Sequence, residues 1–454
     1  MGRYTIRGNA RAGSLKENDM NIRFYNARIL TMADGCRMET GEVWVEGNRI
    51  SYAGPSRPAG CCPAMPEGQK QEKKWDREID AEGNVLMPGF KNAHTHSAMT
   101  FLRSYADDMP LLDWLNKQVF PMEAKLTAGD IYHLSKLAIL EYLTSGITAN
   151  FDMYLTPSTI AQASADCGFR TVMTGGLNDF SQSLEDIDRW YRQYNSENEL
   201  ISFELGFHAE YTTSRNLLEG MAALAEKYKA PVYTHNSESL SEVEQCMERN
   251  HMTPTAYLDS LGMFNYGGGG YHCVHVTEED MDIFKERVMS VVTNPGSNTK
   301  LASGIAPVSR MIEKGINIAI GTDGPASNNC LDMFREMFLA TGLAKLREKD
   351  ASVVDADLVL YMATAGGAKA MNLKDCDTLT EGKYADMIMI DLHQPNMQPL
   401  NNISKNIVYS GSKQNVKMTM VNGRILYEDG KFNIGTSPEE IYRKANEIIG
   451  RMRG

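Results

Sequence analysis

The sequence contains no apolar run close to the roughly 18 residues that a membrane-spanning helix needs. Its first stretch, Met1 to Asn21, is polar and glycine-rich and lacks the hydrophobic region of a secretory signal. Both absences argue against a membrane protein or an exported one. We therefore predict a cytoplasmic protein that makes no membrane contact.

The chain is also poor in cysteine and in positive charge. Eight cysteines are scattered over 454 residues without a Cys-x-x-Cys pair, which is not the pattern of a disulfide framework. The net charge of −12 argues against the basic surface that nucleic-acid binding requires. We predict reduced thiols and a small-molecule partner rather than a nucleic acid. The sequence leaves open whether the chain forms a homo-oligomer.

Strand-like runs lie near both chain ends. Each block contains a turn signal, Gly47-Asn48 in the first and Asn422-Gly423 in the second. The two blocks have similar turns although some 300 residues separate them in the sequence. We therefore predict that they assemble into one small domain. The prediction is a composite β-sandwich built from residues 20–85 and 380–434.

Two shorter segments flank this pattern. Residues 1–19 are predicted to be an N-terminal extension, because the β pattern begins only after Met20. Residues 435–454 are predicted to be a C-terminal helix, since Ser437-Pro-Glu-Glu440 is a capping box with proline at the first helical position.

The middle of the chain, residues 86–379, alternates apolar strand-like runs with amphipathic helical segments, which indicates a parallel sheet. Eight strands alternating with helices predict an α/β fold, a (β/α)₈ barrel of the TIM type. The glycine-rich run from Tyr266 to Gly270 is predicted to be a loop. The eight predicted strands are Val85–His96, Ile147–Met153, Arg170–Leu177, Ile201–Ala209, Pro231–Glu238, Gly270–Val276, Val288–Asn294 and Ile316–Asp323.

Metal-binding residue types fall at the ends of these strands. In such a barrel the chemistry sits at the carboxyl ends of the strands. Alternate strand residues point the same way, so His94 and His96 can converge on one ion. Two histidines one residue apart are weak evidence alone, but four further strands end in the same manner. Their residues are His208, His235, His272 and Asp323.

This residue set predicts one divalent metal ion. Imidazole nitrogens with a carboxylate suit zinc, and they also suit iron or manganese. Three histidines and one aspartate would leave a coordination position for water, which the ion would acidify. Glu238, three residues after His235, is a candidate proton carrier; alternatively it is a first-turn glutamate favoured by the helix dipole. No lysine stands at the end of strand 4 to bridge a second ion.

Several motifs of the chain resemble the amidohydrolase superfamily, and within it the methylthioadenosine/S-adenosylhomocysteine deaminases. The resemblance covers about Met20 to Phe432. The motifs are Pro88-Gly-Phe-Lys-Asn-Ala-His-Thr-His-Ser-Ala-Met-Thr, Leu112-Asp-Trp-Leu, Thr234-His-Asn-Ser-Glu-Ser, Tyr271-His-Cys-Val-His, Asn294-Pro-Gly-Ser-Asn-Thr-Lys-Leu, Gly304-Ile-Ala-Pro-Val and Gly321-Thr-Asp-Gly-Pro-Ala-Ser-Asn-Asn.

The resemblance implies a role for each candidate residue. The implied metal ligands are His94, His96, His235 and Asp323. Glu238 would carry the proton, His272 would orient and polarise the hydrolytic water, and Asp323 would receive the second proton. The implied substrate contacts are Glu123 on the ribose hydroxyls, His208, and Trp114 in a segment lining the pocket. For Glu123 alone, a plain helix-surface acid is the alternative interpretation.

The chain departs from the family pattern where a carboxylate would bind. The family's arginine before the Gly-Leu that ends strand 3 is Gly175 here, and a second arginine has no counterpart in the loop that begins at Asn178. Glu210 replaces a proline. Arginines suit carboxylates, so these departures argue against S-adenosylhomocysteine unless Arg103 or Arg215 supplies the charge.

Taken with the resemblance, the sequence predicts a metal-dependent hydrolytic deaminase of an adenine nucleoside, which would release ammonia and the inosine analogue. The substrate would be methylthioadenosine, 5′-deoxyadenosine, adenosine or S-adenosylhomocysteine. One alternative is an amidohydrolase of another aminated or halogenated heterocycle, such as guanine, a pterin or a triazine. An alternative of a different class is a non-catalytic barrel scaffold.

Overall fold

The computed structural model describes residues 20–57, 74–109 and 111–453. The predicted extension, residues 1–19, lies outside these ranges. So do Cys61 and Cys62, two cysteines that are neighbours in the sequence. The strands are β1 (Asn21–Glu46), β2 (Arg49–Gly54), β3 (Arg77–Asp80), β4 (Val85–Pro88), β5 (Phe90–Thr95), β6 (Ile147–Met153), β7 (Arg170–Thr174), β8 (Ile201–Ala209), β9 (Val232–Asn236), β10 (Gly268–His272), β11 (Ser290–Thr293), β12 (Asn317–Ile320), β13 (Met387–Ile390), β14 (Val416–Val421), β15 (Arg424–Glu428) and β16 (Lys431–Phe432).

Helices connect most of the central strands and cover the outside of the sheet. They are α1 (Leu111–Trp114), α2 (Phe120–Glu123), α3 (Ala128–Thr144), α4 (Pro157–Cys167), α5 (Leu184–Glu197), α6 (Arg215–Tyr228), α7 (Leu240–Asn250), α8 (Pro254–Ser260), α9 (Glu278–Glu286), α10 (Pro295–Lys300), α11 (Val308–Glu313), α12 (Met333–Glu348), α13 (Ala356–Ala363), α14 (Ala365–Ala370), α15 (Ile403–Lys405) and α16 (Pro438–Arg453). Among the described residues, none of these helices has the length and apolar composition to span a bilayer.

The central strands β5 to β12 form the predicted barrel. They are hydrogen-bonded in sequence order, and every pair is parallel. The last and first strands meet through their carboxyl ends: the Asp323 amide donates to the His94 carbonyl at 3.0 Å. The Asn92 side chain adds two hydrogen bonds with Thr322: its oxygen accepts from the Thr322 amide at 2.8 Å, and its NH2 group donates to the Thr322 hydroxyl at 2.7 Å. The barrel is therefore closed at the rim where the candidate site residues stand.

The strand ends differ from the prediction in two places. The strand containing His272 begins at Gly268, so the run predicted as a loop is partly strand. A Cβ atom on Gly268 would lie 2.0 Å from the Val232 carbonyl oxygen, and one on Gly270 would lie 2.6 Å from the Cys273 sulfur. Glycine is thus required there because neighbouring atoms approach the backbone closely, and Gly268 also has a positive φ of 142°. Strand β12 ends at Ile320, so Asp323 lies three residues beyond its strand.

The predicted first strand, Val85–His96, is two strands. Val85–Pro88 runs antiparallel to Met387–Ile390, which belongs to the sheet of the chain ends, and only Phe90–Thr95 belongs to the barrel. The apolar pattern hides the break, because both pieces are fully buried. The proposed boundary after residue 85 therefore moves to Gly89.

Strands from both chain ends build one second, mixed sheet, which confirms the composite assembly, whereas the sandwich arrangement stays a prediction. Its order is β16-β15-β14-β13-β4-β1-β2, with β3 parallel to β1. Turns at Gly47-Asn48 and at Asn422-Gly423 join two of its antiparallel pairs, β1 with β2 and β14 with β15. The sheet has a core of its own. That core includes Ile22, Phe24, Val43, Val45, Leu86, Met387, Met389, Met418 and Met420.

The last helix, α16, begins directly after Ser437, whose hydroxyl accepts from the Glu440 amide at 3.3 Å. Its buried stripe, Ile441, Ala445, Ile448 and Met452, recurs at helical spacing and belongs to the main core. The helix contacts α3 on the outside of the barrel.

Candidate active site

Histidines and one aspartate converge at the carboxyl end of the barrel. The nitrogen or oxygen atoms offered by His94, His96 and His235 lie within 4.8 Å of one another, and so do those of His94, His272 and Asp323. The Asp323 Oδ1 atom is 3.2 Å from His96 Nε2 and 3.6 Å from His94 Nε2. This spacing is that of donors around one common point.

Backbone carbonyls fix the orientation of two of these rings. The Nδ1 atom of His96 lies 2.5 Å from the Met153 carbonyl oxygen, and that of His235 lies 2.7 Å from the His208 carbonyl oxygen. A carbonyl can only accept, so Nδ1 carries the hydrogen in both rings. In the neutral form of each ring, Nε2 then keeps its lone pair for a ligand. This is the arrangement in which imidazoles bind metals.

His94 is the clearest sign that something beyond the chain belongs here. Its side chain is fully buried, and neither ring nitrogen has a hydrogen-bond partner among the described residues. Tyr271 stacks on the ring at a centroid distance of 3.8 Å and holds it in place. A buried polar group without a partner is costly. A metal ion bound by the ring would satisfy it, so the residues present fit the predicted cofactor.

The electrostatics of the cluster agree with this fit. Burial, followed by repulsion from neighbouring histidines, lowers the pKa of His94 and His235 well below the usual value, so both rings are neutral. Burial also acts to lower the pKa of His96, but Asp323 outweighs it and raises that pKa to about 9. A proton on His96 thus stands where a cation would stand, and an ion entering the cluster would displace it.

Asp323 is held rigidly by three donors. Its Oδ2 atom accepts from the hydroxyls of Ser297 at 2.6 Å and Ser327 at 2.7 Å, and Oδ1 accepts from the Gly324 amide at 2.8 Å. Burial acts to raise the pKa of Asp323, but His96 outweighs it and holds the pKa well below its usual range. The carboxylate is therefore ionised and aimed at the histidines.

Glu238 lies in the turn between β9 and α7, with His272 as its neighbour. One carboxylate oxygen is 3.9 Å from His272 Nε2, and the other accepts from the Ser303 hydroxyl at 3.4 Å. Burial raises the pKa of this carboxyl above its usual value. A raised pKa suits a group that must take up a proton and release it again. Glu238 precedes the helix, whose N-cap is Ser239, so the first-turn interpretation does not apply to it.

The acid of that first helical turn is Glu242, which sequence reasoning missed. Its two carboxylate oxygens accept from the amides of Ser237 at 3.0 Å and Glu238 at 2.8 Å. Ser237 has a positive φ of 52°, so the turn is held in a strained conformation. Glu242 thereby fixes the backbone from which Glu238 projects.

Two other predicted histidines have separate partners. His272 ends β10, and its Nδ1 atom lies 2.7 Å from the side-chain oxygen of Asn298. His208 has its Nδ1 atom 2.9 Å from the Thr212 hydroxyl, and its ring stands 4.9 Å from that of His235. Burial, followed by His96, lowers the pKa of His208 to about 4, so its ring is neutral.

Two of the predicted substrate contacts, Glu123 and Trp114, lie on the segment after β5, whereas the third, His208, lies on β8. Glu123 ends α2, and burial raises the pKa of its carboxyl, with Tyr154 and His96 acting in the opposite direction. Of the clustered histidines, His96 is the one whose charge acts on this carboxyl. Trp114 is 6% exposed and packs in the main core. Its pocket role stays a prediction.

Four residues that support the site were not predicted, although they stand in the motifs that resemble the family. Their polar side chains gave the signal, but the motifs do not say which partner each one takes. They are Tyr271, Ser297, Asn298 and Ser327. The carbonyl of Met153 gave no signal, because a backbone contact can come from any residue type.

The departures from the family pattern have physical consequences. A Cβ atom on Gly175 would lie 2.4 Å from the Ile187 side chain and 2.6 Å from the Gly206 carbonyl oxygen, so an arginine does not fit on this backbone. The charge of Glu210 is paired, since its carboxylate accepts from Arg249 at 2.6 Å. Arg249 thus offsets the negative charge that Glu210 adds in place of the family's proline.

The two arginines that could replace the missing family arginines, Arg103 and Arg215, are both already paired. Arg103 donates to Glu141 at 2.5 Å, and Arg215 donates to Glu219 at 2.8 Å. Both guanidinium groups already have a carboxylate of their own chain.

A parallel β/α barrel with imidazole and carboxylate donors at the carboxyl ends of its strands defines the class of metal-dependent barrel hydrolases. Comparison with known proteins identifies the family. The model of the amidohydrolase family matches residues 85–426, and the chain belongs to this family.

Curated relatives and a solved structure agree with this assignment. A 5-methylthioadenosine/S-adenosylhomocysteine deaminase from Thermoanaerobacter pseudethanolicus is 37% identical over 444 residues, covering 95% of this chain and all of the relative. A deaminase of the same name from Syntrophomonas wolfei is 40% identical over 397 residues, covering 85% and 91%. The crystal structure of an adenosine deaminase from Xanthomonas campestris with bound zinc superimposes with a TM-score of 0.88 and 29% identity, covering 96% and 98%.

Proposed function

We propose that this protein is a metal-dependent hydrolase that deaminates an adenine nucleoside to the inosine analogue and ammonia. The observation that carries the proposal is the convergence of His94, His96, His235 and Asp323 beside the buried acid Glu238. The names of the relatives, which are similar over nearly the whole chain, supply the substrate class.

The four converging residues are the proposed metal ligands. Zinc is the ion we propose, because imidazole and carboxylate donors suit it and the similar adenosine deaminase holds it. Iron and manganese accept the same donors. When bound, the ion would acidify the attacking water and polarise the substrate.

The chain's own acids and bases move the protons. Glu238 would accept a proton from the attacking water and deliver it to the ring nitrogen beside the target carbon. His272, held by Asn298 and 3.9 Å from Glu238, would orient that water and stabilise the negative charge that develops on the adduct. Asp323 would receive the second proton and pass it to the leaving amine. The bond to nitrogen breaks, and ammonia leaves.

The sugar would be recognised by the segment after β5 and by β8. A carboxylate such as Glu123 can accept from two neighbouring hydroxyls, which is the pattern that ribose offers. His208 and Trp114 are the further proposed contacts. Glu123→Ala should therefore weaken the reaction of nucleosides much more than that of the free base.

We propose that the 5′ group of the substrate is small or neutral. Gly175 leaves no room for an arginine, and Arg103 and Arg215 are already paired. The carboxylate of S-adenosylhomocysteine would then be desolvated without a cationic partner, at a cost of several kcal/mol. Adenosine, methylthioadenosine and 5′-deoxyadenosine should all exceed S-adenosylhomocysteine in kcat/KM.

One ammonia-release screen tests the proposal. The substrates are the four adenine nucleosides just named, together with adenine, guanine, a pterin and a triazine, each assayed with zinc-loaded enzyme. We expect the neutral nucleosides to react best. If S-adenosylhomocysteine is the best substrate, the argument from the missing arginine is wrong. If no adenine nucleoside reacts while another heterocycle does, the substrate class is wrong.

A further inference from the structure

Lys300 joins three loops at the rim of the barrel. It is the last residue of α10, and its ammonium group donates to Asp107 at 2.5 Å, to the Ala326 carbonyl oxygen at 3.0 Å, and to the side-chain oxygen of Asn329. Asp107 follows β5 and Asn329 follows β12, whereas Lys300 itself follows β11. One cation therefore holds the loops of the first, seventh and eighth barrel strands together.

The loop that carries Asp107 needs an external hold. Ser104 has φ 55° and Asp108 has φ 62°, so both have left-handed backbone conformations without being glycine. Such residues cost about 1–3 kcal/mol each and persist where surrounding contacts impose them. Asn329 also contributes, because its amide donates to the Ser104 hydroxyl at 3.1 Å and to Asp107 at 3.3 Å. The contacts from Lys300 and Asn329 thus hold the strained turn at both Ser104 and Asp107.

The same short helix also contacts the proposed catalytic groups. Within α10, Ser297 donates to Asp323 and Asn298 accepts from His272. One turn of helix therefore holds two proposed catalytic side chains through Ser297 and Asn298 and, through Lys300, the loop that leads into α1 and α2. That loop continues into the substrate segment, residues 111–123, which carries Trp114 and Glu123.

We propose that Lys300 is a positioning residue for substrate binding: by holding Asp107 it sets the segment with Trp114 and Glu123 at a fixed place relative to His272 and Asp323. The alternative is an ordinary surface ion pair, which would contribute only about 0–1 kcal/mol to stability and nothing to substrate binding. The substrate part of this inference rests on the proposed function, whereas the tether itself does not.

The test compares Lys300→Met, which keeps the aliphatic length and removes the cation, with a matched control. Lys314→Met is that control, because Lys314 donates to Asp282 and forms an ion pair with Glu278 at 3.1 Å. Its side chain is 14% exposed, close to the 21% of Lys300. It lies just before β12, at the other end of the barrel. Lys300→Arg keeps the cation and serves as the rescue variant.

The first readout is hydrogen exchange of zinc-loaded protein without substrate. Lys300→Met should exchange about tenfold faster in residues 104–109 and 111–123, an effect of the size that one lost tether of about 1.4 kcal/mol gives. Helix α3 (Ala128–Thr144) should be unchanged, and Lys314→Met should match the wild type throughout. Equal exchange in Lys300→Met and wild type would overturn the tether, whatever the enzyme's substrate proves to be.

The second readout is kinetic, with adenosine and adenine as the probes. Lys300→Met should raise KM for adenosine about tenfold with little change in kcat, and it should leave kcat/KM for adenine nearly unchanged, because the free base has no ribose for Glu123 to hold. Asp107→Asn should behave alike, and the double variant should be no worse than either single variant. Lys300→Arg should restore KM. Equal losses for adenosine and adenine, with the melting temperature lowered, would mean a merely structural role and would overturn the proposal.

Discussion

At the N-terminal end of the barrel Arg170 is buried against Asp386, whereas at the carboxyl end His94 is buried with no hydrogen-bond partner among the described residues. Arg170 donates to Asp386 at 2.6 and 3.1 Å, and to the Glu199 carbonyl oxygen at 2.7 Å. Nearby, buried Lys91 donates to the Gly89 carbonyl oxygen and the Thr148 hydroxyl. The barrel thus supplies partners for the buried charges at its N-terminal end. At its carboxyl end it leaves the two nitrogens of the His94 ring without a hydrogen-bond partner among the described residues.

The difference separates structure from function. A buried polar group needs a partner, and at the N-terminal end the chain supplies it, joining β7 to the segment just before β13 of the second sheet. At the carboxyl end, Met153, His208 and Asn298 orient three of the rings, but the His94 ring has no hydrogen-bond partner among the described residues. A site completed in this way by an external ion is what a metal-dependent hydrolase requires.

The largest effect is expected at the carboxyl end. Glu238→Gln keeps size and polarity but cannot take a proton from water, so turnover should fall about 10²–10⁴-fold while bound zinc is unchanged. Ammonia release and metal analysis of the purified variant measure the two quantities. Glu279→Gln, at an exposed helix start, is the control. A loss of less than tenfold would return Glu238 to a structural role.

The second largest effect is expected at the N-terminal end of the barrel, when the Arg170–Asp386 ion pair is removed. Asp386→Asn leaves Arg170 buried without its carboxylate, which should lower the free energy of unfolding by about 3–5 kcal/mol. Asp375→Asn removes an exposed partner of Arg49 and should cost less than about 1 kcal/mol. Urea unfolding of both variants makes the comparison. If Asp386→Asn cost no more than its control, the two ends would not differ as we describe.

A smaller effect is expected from the groups that hold Asp323. Ser297→Ala removes one of its two hydroxyl donors and should weaken zinc affinity about 10–100-fold, the usual size for such an outer partner. Competition with a chelator of known affinity measures it, with Ser309→Ala, another buried serine, as the control. An unchanged affinity would show that Ser327 and the Gly324 amide suffice.

The smallest expected effect is the change, at low pH, in the stability that the Arg170–Asp386 pair contributes. Burial acts to raise the pKa of Asp386, but Arg170 outweighs it and lowers the pKa below its usual value. A lowered folded-state pKa gives stability that is fully present above the unfolded value, near about 3.9, and is lost as the pH falls toward the folded value. The stability gap between wild type and Asp386→Asn should therefore narrow below about pH 4. Urea unfolding at pH 7 and pH 3 tests this; a constant gap would contradict it.

Much of the site could be predicted because parallel strands bring their carboxyl ends to one rim. That rule placed His94, His96, His235 and His272 together from their positions after apolar runs. The partners that orient them could not be predicted, since each depends on a contact distant in sequence. Asn298 meets His272 across 26 residues, and the contact of His96 is with a backbone carbonyl.

The fold was predictable in kind and less so at its joints. The barrel and the composite sheet follow from the alternation of strands and helices and from the paired turns at the chain ends. The break at Gly89 could not be found, because both halves of Val85–His96 are fully buried and the apolar pattern runs through it. Likewise glycine in β10 indicates a loop until the close approach of Val232 is known.

The central claim is that the imidazole and carboxylate groups at the carboxyl end of the barrel bind one catalytic metal ion. The most direct test is the metal content of the purified protein, measured together with ammonia release from adenosine before and after chelation. We expect close to one divalent ion per chain, loss of activity on chelation with recovery on adding zinc, and loss of most of the metal in His235→Ala and Asp323→Ala. Two ions per chain, or full activity after exhaustive chelation, would contradict the account.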